Sequence, residues 1–223
     1  MKTLTTLLCL ATLAAADSAR AQQPGTVALP GPGRWDAAGQ VALLNRHRSD
    51  LSEWDHWYSA PAFDGTAARY WTPHFKTEFE IGTARGGGID VEESTFVPGS
   101  PILFPRYREH TLQETAFGAT AMYQFLENQW VHPFVGAGAE LVRERERADA
   151  QPATTIRTTA APSLIVPALP AIDTVSHSVR PLVTGGVKFY VSPRAFVRTE
   201  VRTALSTDRG FALQWRAGVG FDF

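Results

Sequence analysis

Residues 211–223 read FALQWRAGVGFDF. Phe211, Leu213, Trp215, Ala217, Val219, Phe221 and Phe223 fall on one face of an extended chain. Ala212, Gln214, Arg216, Gly218, Gly220 and Asp222 fall on the other. Side chains of a strand point alternately to its two faces, so the pattern predicts a strand with one wholly apolar face. A helix would scatter the same residues around its circumference. The alternation runs unbroken to Phe223, well past the roughly five or six residues of an average soluble strand.

The same period recurs upstream. Ala195, Val197, Thr199, Val201, Thr203 and Leu205 oppose Arg194, Phe196, Arg198, Glu200, Arg202 and Ala204. Val179 to Val191 alternates with Arg180, Leu182, Thr184, Gly186, Lys188 and Tyr190, and Ser192-Pro193 makes a tight turn between the two segments. Val131 to Leu141, 109–125, 74–84, 65–71 and 35–44 complete eight predicted strands, with Thr72-Pro73 as a second tight turn.

Composition bounds the class. The chain has 223 residues, 21 basic and 22 acidic side chains and a single cysteine. A formal charge of −1 argues against a nucleic-acid binder, and 44% hydrophobic residues argue against general disorder. Residues 1–21 (MKTLTTLLCLATLAAADSARA) have the charged start, apolar run and Ala19-Arg20-Ala21 ending of a cleavable signal peptide. The mature chain is then expected to start near Gln22 without cysteine, with 22–33 (QQPGTVALPGPG) a flexible Pro/Gly-rich lead-in and 34–223 a single β domain.

Eight alternating strands fit either a soluble sandwich or barrel, or a barrel that crosses a membrane. Three features favour the membrane. The strands reach the about 9–11 residues a tilted spanning strand needs. One face of them gathers Lys76, Glu78, Glu80, Glu114, Glu140, Lys188, Arg198, Glu200, Arg202 and Arg216, charges of both signs that a lumen can pair, while the other is apolar but often only Ala, Gly or Thr. The connections also alternate between short (Thr72-Pro73, Leu126 to Trp130, Ser192-Pro193) and longer (about 45–65, 85–108 and 147–176), with a short last one at 206–210. Trp35, Trp71, Phe75, Tyr123, Phe125, Trp130, Phe189, Phe221 and Phe223 cluster near strand ends as an interfacial girdle would. The expected fold is all-β: an eight-stranded antiparallel transmembrane β-barrel.

With RYWTPHFKTEFEIG (69–82), VHPFVGAGAELVRERE (131–146) and the Phe223-terminated strand, the chain resembles the OmpA/OmpX/OmpW-like outer-membrane β-barrel superfamily, in particular its small outer membrane protein β-barrel domain members. The resemblance covers roughly 34–223 and is architectural. It implies an outer-membrane location, contact with outer-membrane lipid and lipopolysaccharide, and recognition of the last strand, through Trp215, Val219, Phe221 and Phe223, by the barrel-assembly machinery. The expected role is that of a monomeric structural or surface-interaction protein, or one giving limited small-solute passage through the charged lumen.

Two other functions fit parts of the sequence. Some barrels of this size are lipid A deacylases with a His-x-Ser pair and a Glu; His47-Arg48-Ser49 has that spacing and Glu53 follows, but in a predicted loop, which fixes a nucleophile and base poorly. A soluble secreted β-barrel binding protein is the other. The six histidines (47, 56, 74, 110, 132, 177) lack close ligand spacing, so no metal or other cofactor is expected; Asp50, Glu53, Asp55 and His56 beside Trp54 and Trp57 read as a solvated loop. Gly86-Gly87-Gly88 reads as a flexible loop tip, Arg143-Glu144-Arg145-Glu146-Arg147 as a solvated strand end or a contact for lipopolysaccharide, and 148–176 as a long loop with an apolar patch at Leu164-Ile165-Val166 and Leu169.

Overall fold

The structure, a computed structural model, describes residues 34–48, 56–97, 103–126, 130–157, 164–206 and 210–223. The expected signal peptide and lead-in lie outside these. Eight strands close into an antiparallel barrel: β1 (Trp35–Arg48), β2 (His56–Tyr70), β3 (Phe75–Phe96), β4 (Leu103–Gln124), β5 (Val131–Ala148), β8 (Ile172–Tyr190), β9 (Ala195–Ser206) and β10 (Gly210–Asp222). Two short strands, β6 (Thr154–Ile156) and β7 (Leu164–Val166), pair in the connection between β5 and β8. Each barrel strand pairs with its sequence neighbour in the barrel, and β1 closes the ring on β10 from Asp36↔Asp222 to Arg46↔Ala212.

Burial follows the parity read from the sequence. On β10, Ala212, Arg216, Gly220 and Asp222 are buried while Phe211, Trp215, Val219, Phe221 and Phe223 are exposed. Large apolar side chains such as Val41, Phe63, Phe79, Phe117, Leu141 and Val183 also stand outward, while charged residues such as Asp36, Lys76, Glu78, Lys188, Arg198 and Arg216 are buried within. This inverts a soluble protein, where apolar burial drives folding.

Two of the connections at one end are near-identical turns. In Trp71-Thr72-Pro73-His74-Phe75 the Thr72 hydroxyl accepts the Phe75 N–H at 2.9 Å, and the Trp71 N–H reaches the Phe75 carbonyl at 2.9 Å. Val191-Ser192-Pro193-Arg194-Ala195 repeats the arrangement, with Ser192 Oγ accepting the Ala195 N–H at 3.0 Å. Proline fixes the backbone angle and the preceding hydroxyl satisfies the donor the turn leaves open.

The opposite end departs from expectation. The sequence reading carries the fifth strand through Arg147 but ends its neighbours near the close of the outward apolar face, yet β3 and β4 stay paired to Phe96↔Leu103, and β8 stays paired with β5 to Ala148↔Ile172. β2 likewise begins at His56 rather than Gly65. The ladder needs only backbone partners, so it continues past the apolar belt on polar residues. β2 pairs with β3 only up to Ala62↔Ala84, and β8 with β9 only up to Leu182↔Ala204. A four-stranded sheet of β3, β4, β5 and β8 therefore rises above the rest of the rim.

Gly86-Gly87-Gly88 is no loop tip: it lies inside β3, where the register with β4 shifts between Arg85 and Gly87. Gly86 has φ of 87°, a left-handed conformation that costs a side-chain-bearing residue but not glycine. The bulge reverses the parity of β3. Before it Glu78, Gly82 and Ala84 point inward; after it Ile89 and Val91 do, joining Leu44, Tyr58, Leu112 and Leu182 in an apolar cluster inside the raised end.

Candidate functional site

The barrel interior holds the charged residues, and they meet across it level by level. Nearest the short turns, Lys76 Nζ contacts Asp36 at 2.9 Å and Glu78 at 2.9 Å, and Lys188 Nζ contacts Asp36 at 3.1 Å and Asp222 at 2.6 Å. Tyr70 donates its hydroxyl proton to Asp36 (3.0 Å) and accepts from Lys188 (3.1 Å) and Gln124 (3.1 Å), which uses all three of its bonding positions. Tyr190 donates to Asp222, and the Lys188 ammonium lies 3.7 Å from the centre of the Phe196 ring.

At mid-height Arg198 bonds Glu78 (2.5 Å) and Glu200, with its guanidinium carbon 4.6 Å from the Phe134 ring centre. Arg216 reaches Glu80 (2.5 Å), Glu200 (2.9 Å) and Asp64 (3.3 Å), and Arg202 joins Glu80 to Glu140. Higher still, Arg180 touches Glu140 (3.8 Å), Glu114 (3.1 Å) and Glu144 (3.5 Å), and Arg46 bonds Glu114 (2.6 Å), Glu144 and the Tyr58 hydroxyl (3.4 Å). Links from Lys188 to Arg46 are therefore continuous along the interior.

Small residues make the room. A methyl group added to Gly186 would lie 2.7 Å from the Phe134 ring and 2.7 Å from Glu200 Cβ, so only glycine lets these side chains cross the barrel. Eight strands enclose about the volume that inward side chains fill. A cavity of about 10 Å³ beside Asp64, Glu80 and Glu140 has space for roughly one water.

All ten charged residues singled out in the sequence, Lys76, Glu78, Glu80, Glu114, Glu140, Lys188, Arg198, Glu200, Arg202 and Arg216, belong to this network. Asp36, Arg46, Asp64, Arg180 and Asp222, equally buried, were not among them, and Glu144, read as part of a solvated strand end, is buried at 3% exposure against Arg46 and Arg180 because its parity on β5 turns it inward. Their parity marks them: each sits one residue from an outward apolar or aromatic position or in phase with an inward one. The four C-terminal residues, Trp215, Val219, Phe221 and Phe223, stand outward and exposed.

At the raised mouth a separate group forms. His110 Nδ1 lies 2.6 Å from Glu146 and Nε2 3.0 Å from Glu93, which Arg108 also binds at 2.6 Å. Both ring nitrogens are committed to carboxylates, an orientation that leaves no nitrogen facing a nucleophile. Arg108 donates onward to the carbonyls of Asp149 (3.2 Å) and Pro170 (2.6 Å), and Arg106 to those of Pro167 (2.8 Å) and Pro152 (3.1 Å). The described parts of the β5–β8 connection, 149–157 and 164–171, whose position the sequence left open, are thus tied to β4, with Val166 buried and Ile165 exposed.

His47 is on strand β1, paired with Trp57 of β2, not in a loop; its ring stacks on Phe211 at 5.9 Å. Ser49 and Glu53, with Asp50, Trp54 and Asp55, lie outside the described residues. Among the described residues no group of three or more His, Cys, Asp or Glu could hold a metal ion.

This closed barrel with its inverted polarity matches solved structures. Neisserial surface protein A (NspA) superimposes with a TM-score of 0.55 over 86% of this chain and 99% of its own, at 15% identity. The outer membrane protein OprG from Pseudomonas aeruginosa does so with a TM-score of 0.52, over 87% of this chain and 99% of its own, at 10% identity. The fold is that of the small outer-membrane β-barrels. No family model matches the chain, and no curated protein matches it.

Proposed function

We propose that the chain is a monomeric integral outer-membrane protein, its short turns in the periplasm and its long hairpins outside. It acts as a closed body that displays the raised β3–β4–β5–β8 sheet for surface interactions. The observation that carries this reading is the ion-pair chain from Lys188 to Arg46, which spans the interior at every level and opposes passage of solutes. The outward face supports insertion: Val131, Pro133, Val135, Ala137, Ala139 and Leu141 on β5 are all apolar over about the length of a spanning strand. Arg69, 4.4 Å from the Trp71 ring centre, fits an anchor at the periplasmic interface. The exposed Trp215, Val219, Phe221 and Phe223 suit recognition of β10 by the barrel-assembly machinery.

Two measurements test the proposal together. Folded protein should resist carbonate extraction from membranes and migrate differently on a gel before and after boiling. Reconstituted in planar bilayers it should show no resolvable single-channel conductance. Steady ohmic steps from wild-type protein would refute the closed interior.

A further inference from the structure

The charges of the ion-paired interior do not balance. Among the described residues its network joins three aspartates and six glutamates to two lysines and five arginines, and none of these side chains is more than 8% exposed. Near the short turns the signs cancel, since Lys76, Lys188 and Arg198 meet Asp36, Glu78 and Asp222. The excess lies above. There Asp64, Glu80, Glu114, Glu140, Glu144 and Glu200 are held by Arg46, Arg180, Arg202 and Arg216, and Arg198, which also touches Glu200, is already matched by Glu78. A charge kept from water without a counter-charge is strongly destabilising, and this half of the network is two cations short.

The small cavity noted above lies within the unbalanced half. Its lining includes four carboxylates, Asp64, Glu80, Glu114 and Glu140, and among the described residues a single cation, Arg216. Gly82, also in the lining, leaves Asp64 its space, because a methyl group there would collide with Asp64 Oδ1. That oxygen lies 3.3 Å from Arg216. The other one, Oδ2, is enclosed and has no hydrogen-bond partner among the described residues, although Asp64 is only 7% exposed. The same holds for both amide atoms of Gln40, which sits opposite Asp64 on β1.

We propose that this cavity binds one small monovalent cation of sodium's size, with Asp64 Oδ2 as its anchoring ligand and Glu80, Glu114 and Glu140 supplying the surrounding negative charge. A proton on Oδ2 would need an acceptor for its O–H, and Oδ2 has no such partner. A water alone would leave the excess charge where it is. A cation takes the free lone pairs of Oδ2 directly, and each lining carboxylate keeps lone pairs beyond those its arginines use. The space, about 10 Å³, admits roughly one water-sized species. A divalent ion asks for more: calcium takes six or more oxygens and magnesium keeps several waters, whereas among the described residues no three carboxylates converge on a chelated metal. The bound ion offsets one of the two excess charges and so belongs to the folded interior.

The inference rests on the closed interior, which planar-bilayer conductance tests separately. Wild-type protein, D64N and E109Q, the last at an exposed carboxylate of β4, are folded in phosphatidylcholine vesicles. Their unfolding temperature is followed by gel migration and tryptophan fluorescence in sodium, potassium, calcium and N-methylglucamine chlorides at one ionic strength. Wild type should unfold about 5 °C higher in saturating sodium than in N-methylglucamine, with half-saturation at a severalfold lower concentration for sodium than for potassium. E109Q should respond as wild type does. D64N should lose the sodium response and, in N-methylglucamine, unfold above wild type, because it removes one excess charge; loss of a merely structural contact would lower it instead. Should D64N not fold, the wild-type salt series decides alone. Equal stability of wild type in sodium and N-methylglucamine would overturn the proposal, as would calcium acting at lower concentration than sodium. So would stabilisation by acid that sodium leaves unchanged, which would put protons on the excess carboxylates. Ohmic conductance of wild-type protein would instead refute the closed interior.

Discussion

Replacing Arg198 by methionine keeps much of the side-chain volume and removes one charge from the middle of the barrel. Arg198 is only 2% exposed. It bonds Glu78 at 2.5 Å and Glu200, and packs on Phe134. Taking one partner from a buried pair costs about 3–5 kcal/mol, because the remaining charge stays desolvated. Here Glu78 keeps Lys76 at 2.9 Å and Glu200 keeps Arg216 at 2.9 Å, so the lower end applies, about 3 kcal/mol. That is roughly a hundredfold in the ratio of folded to unfolded protein. Reversible urea unfolding in vesicles, followed by tryptophan fluorescence and gel migration, measures it. Adding Glu78→Gln to Arg198→Met should recover about 1 kcal/mol or more, since neighbours in one network are not additive. A loss below about 1 kcal/mol for Arg198→Met would mean the pairs behave like exposed ones in a wet interior, and the reasoning would fail.

Further outcomes follow from single contacts. Thr72→Val and Ser192→Ala each remove a hydroxyl that closes a turn and should each cost about 1 kcal/mol in the same unfolding assay. Leu126 has φ of 66°, so Leu126→Gly should relieve strain and raise stability by about 1 kcal/mol. The hydrogen bond from Arg145 holds the Asp173 carboxyl below its ordinary 3.8, so the contact is intact above that value and is lost as pH falls through the lowered one. Carboxyl NMR should show Asp173 titrating late in acid in wild type and returning toward 3.8 in Arg145→Gln. The bond to Glu92 pushes the Tyr107 phenol above 10.0, and ultraviolet titration of Glu92→Gln should bring it back down.

Parity made the barrel legible. FALQWRAGVGFDF separates Trp215 from Arg216 and Phe221 from Asp222 without any knowledge of neighbours, and the same alternation assigned Glu78, Glu140 and Arg198 to the inside. What it could not supply were partners, because Arg46 meets Glu144 and Arg216 meets Glu80 only across the closed ring. Strand ends were underestimated on β3, β4 and β8, where the outward apolar signal stops at Ile81, Phe117 and Val179 while backbone pairing runs on to Phe96, Leu103 and Ile172. The phase change at Gly86 was hidden because three glycines carry no side-chain pattern. The docking of 149–157 and 164–171 was equally hidden, since Arg106 and Arg108 hold these segments through backbone carbonyls that any sequence would present.

The central claim is that alternate residues of each strand face lipid and a sealed, ion-paired interior. Spin labels placed one at a time along β5, at Val135, Ala137, Ala139 and Leu141 and at Glu140 and Arg143, test it in reconstituted vesicles, with oxygen and a water-soluble nickel complex as competing relaxants. The four apolar positions should be open to oxygen and closed to nickel, Glu140 closed to both, and Arg143 open to nickel. Nickel reaching Val135, Ala137 and Ala139 as readily as Arg143 would contradict the account.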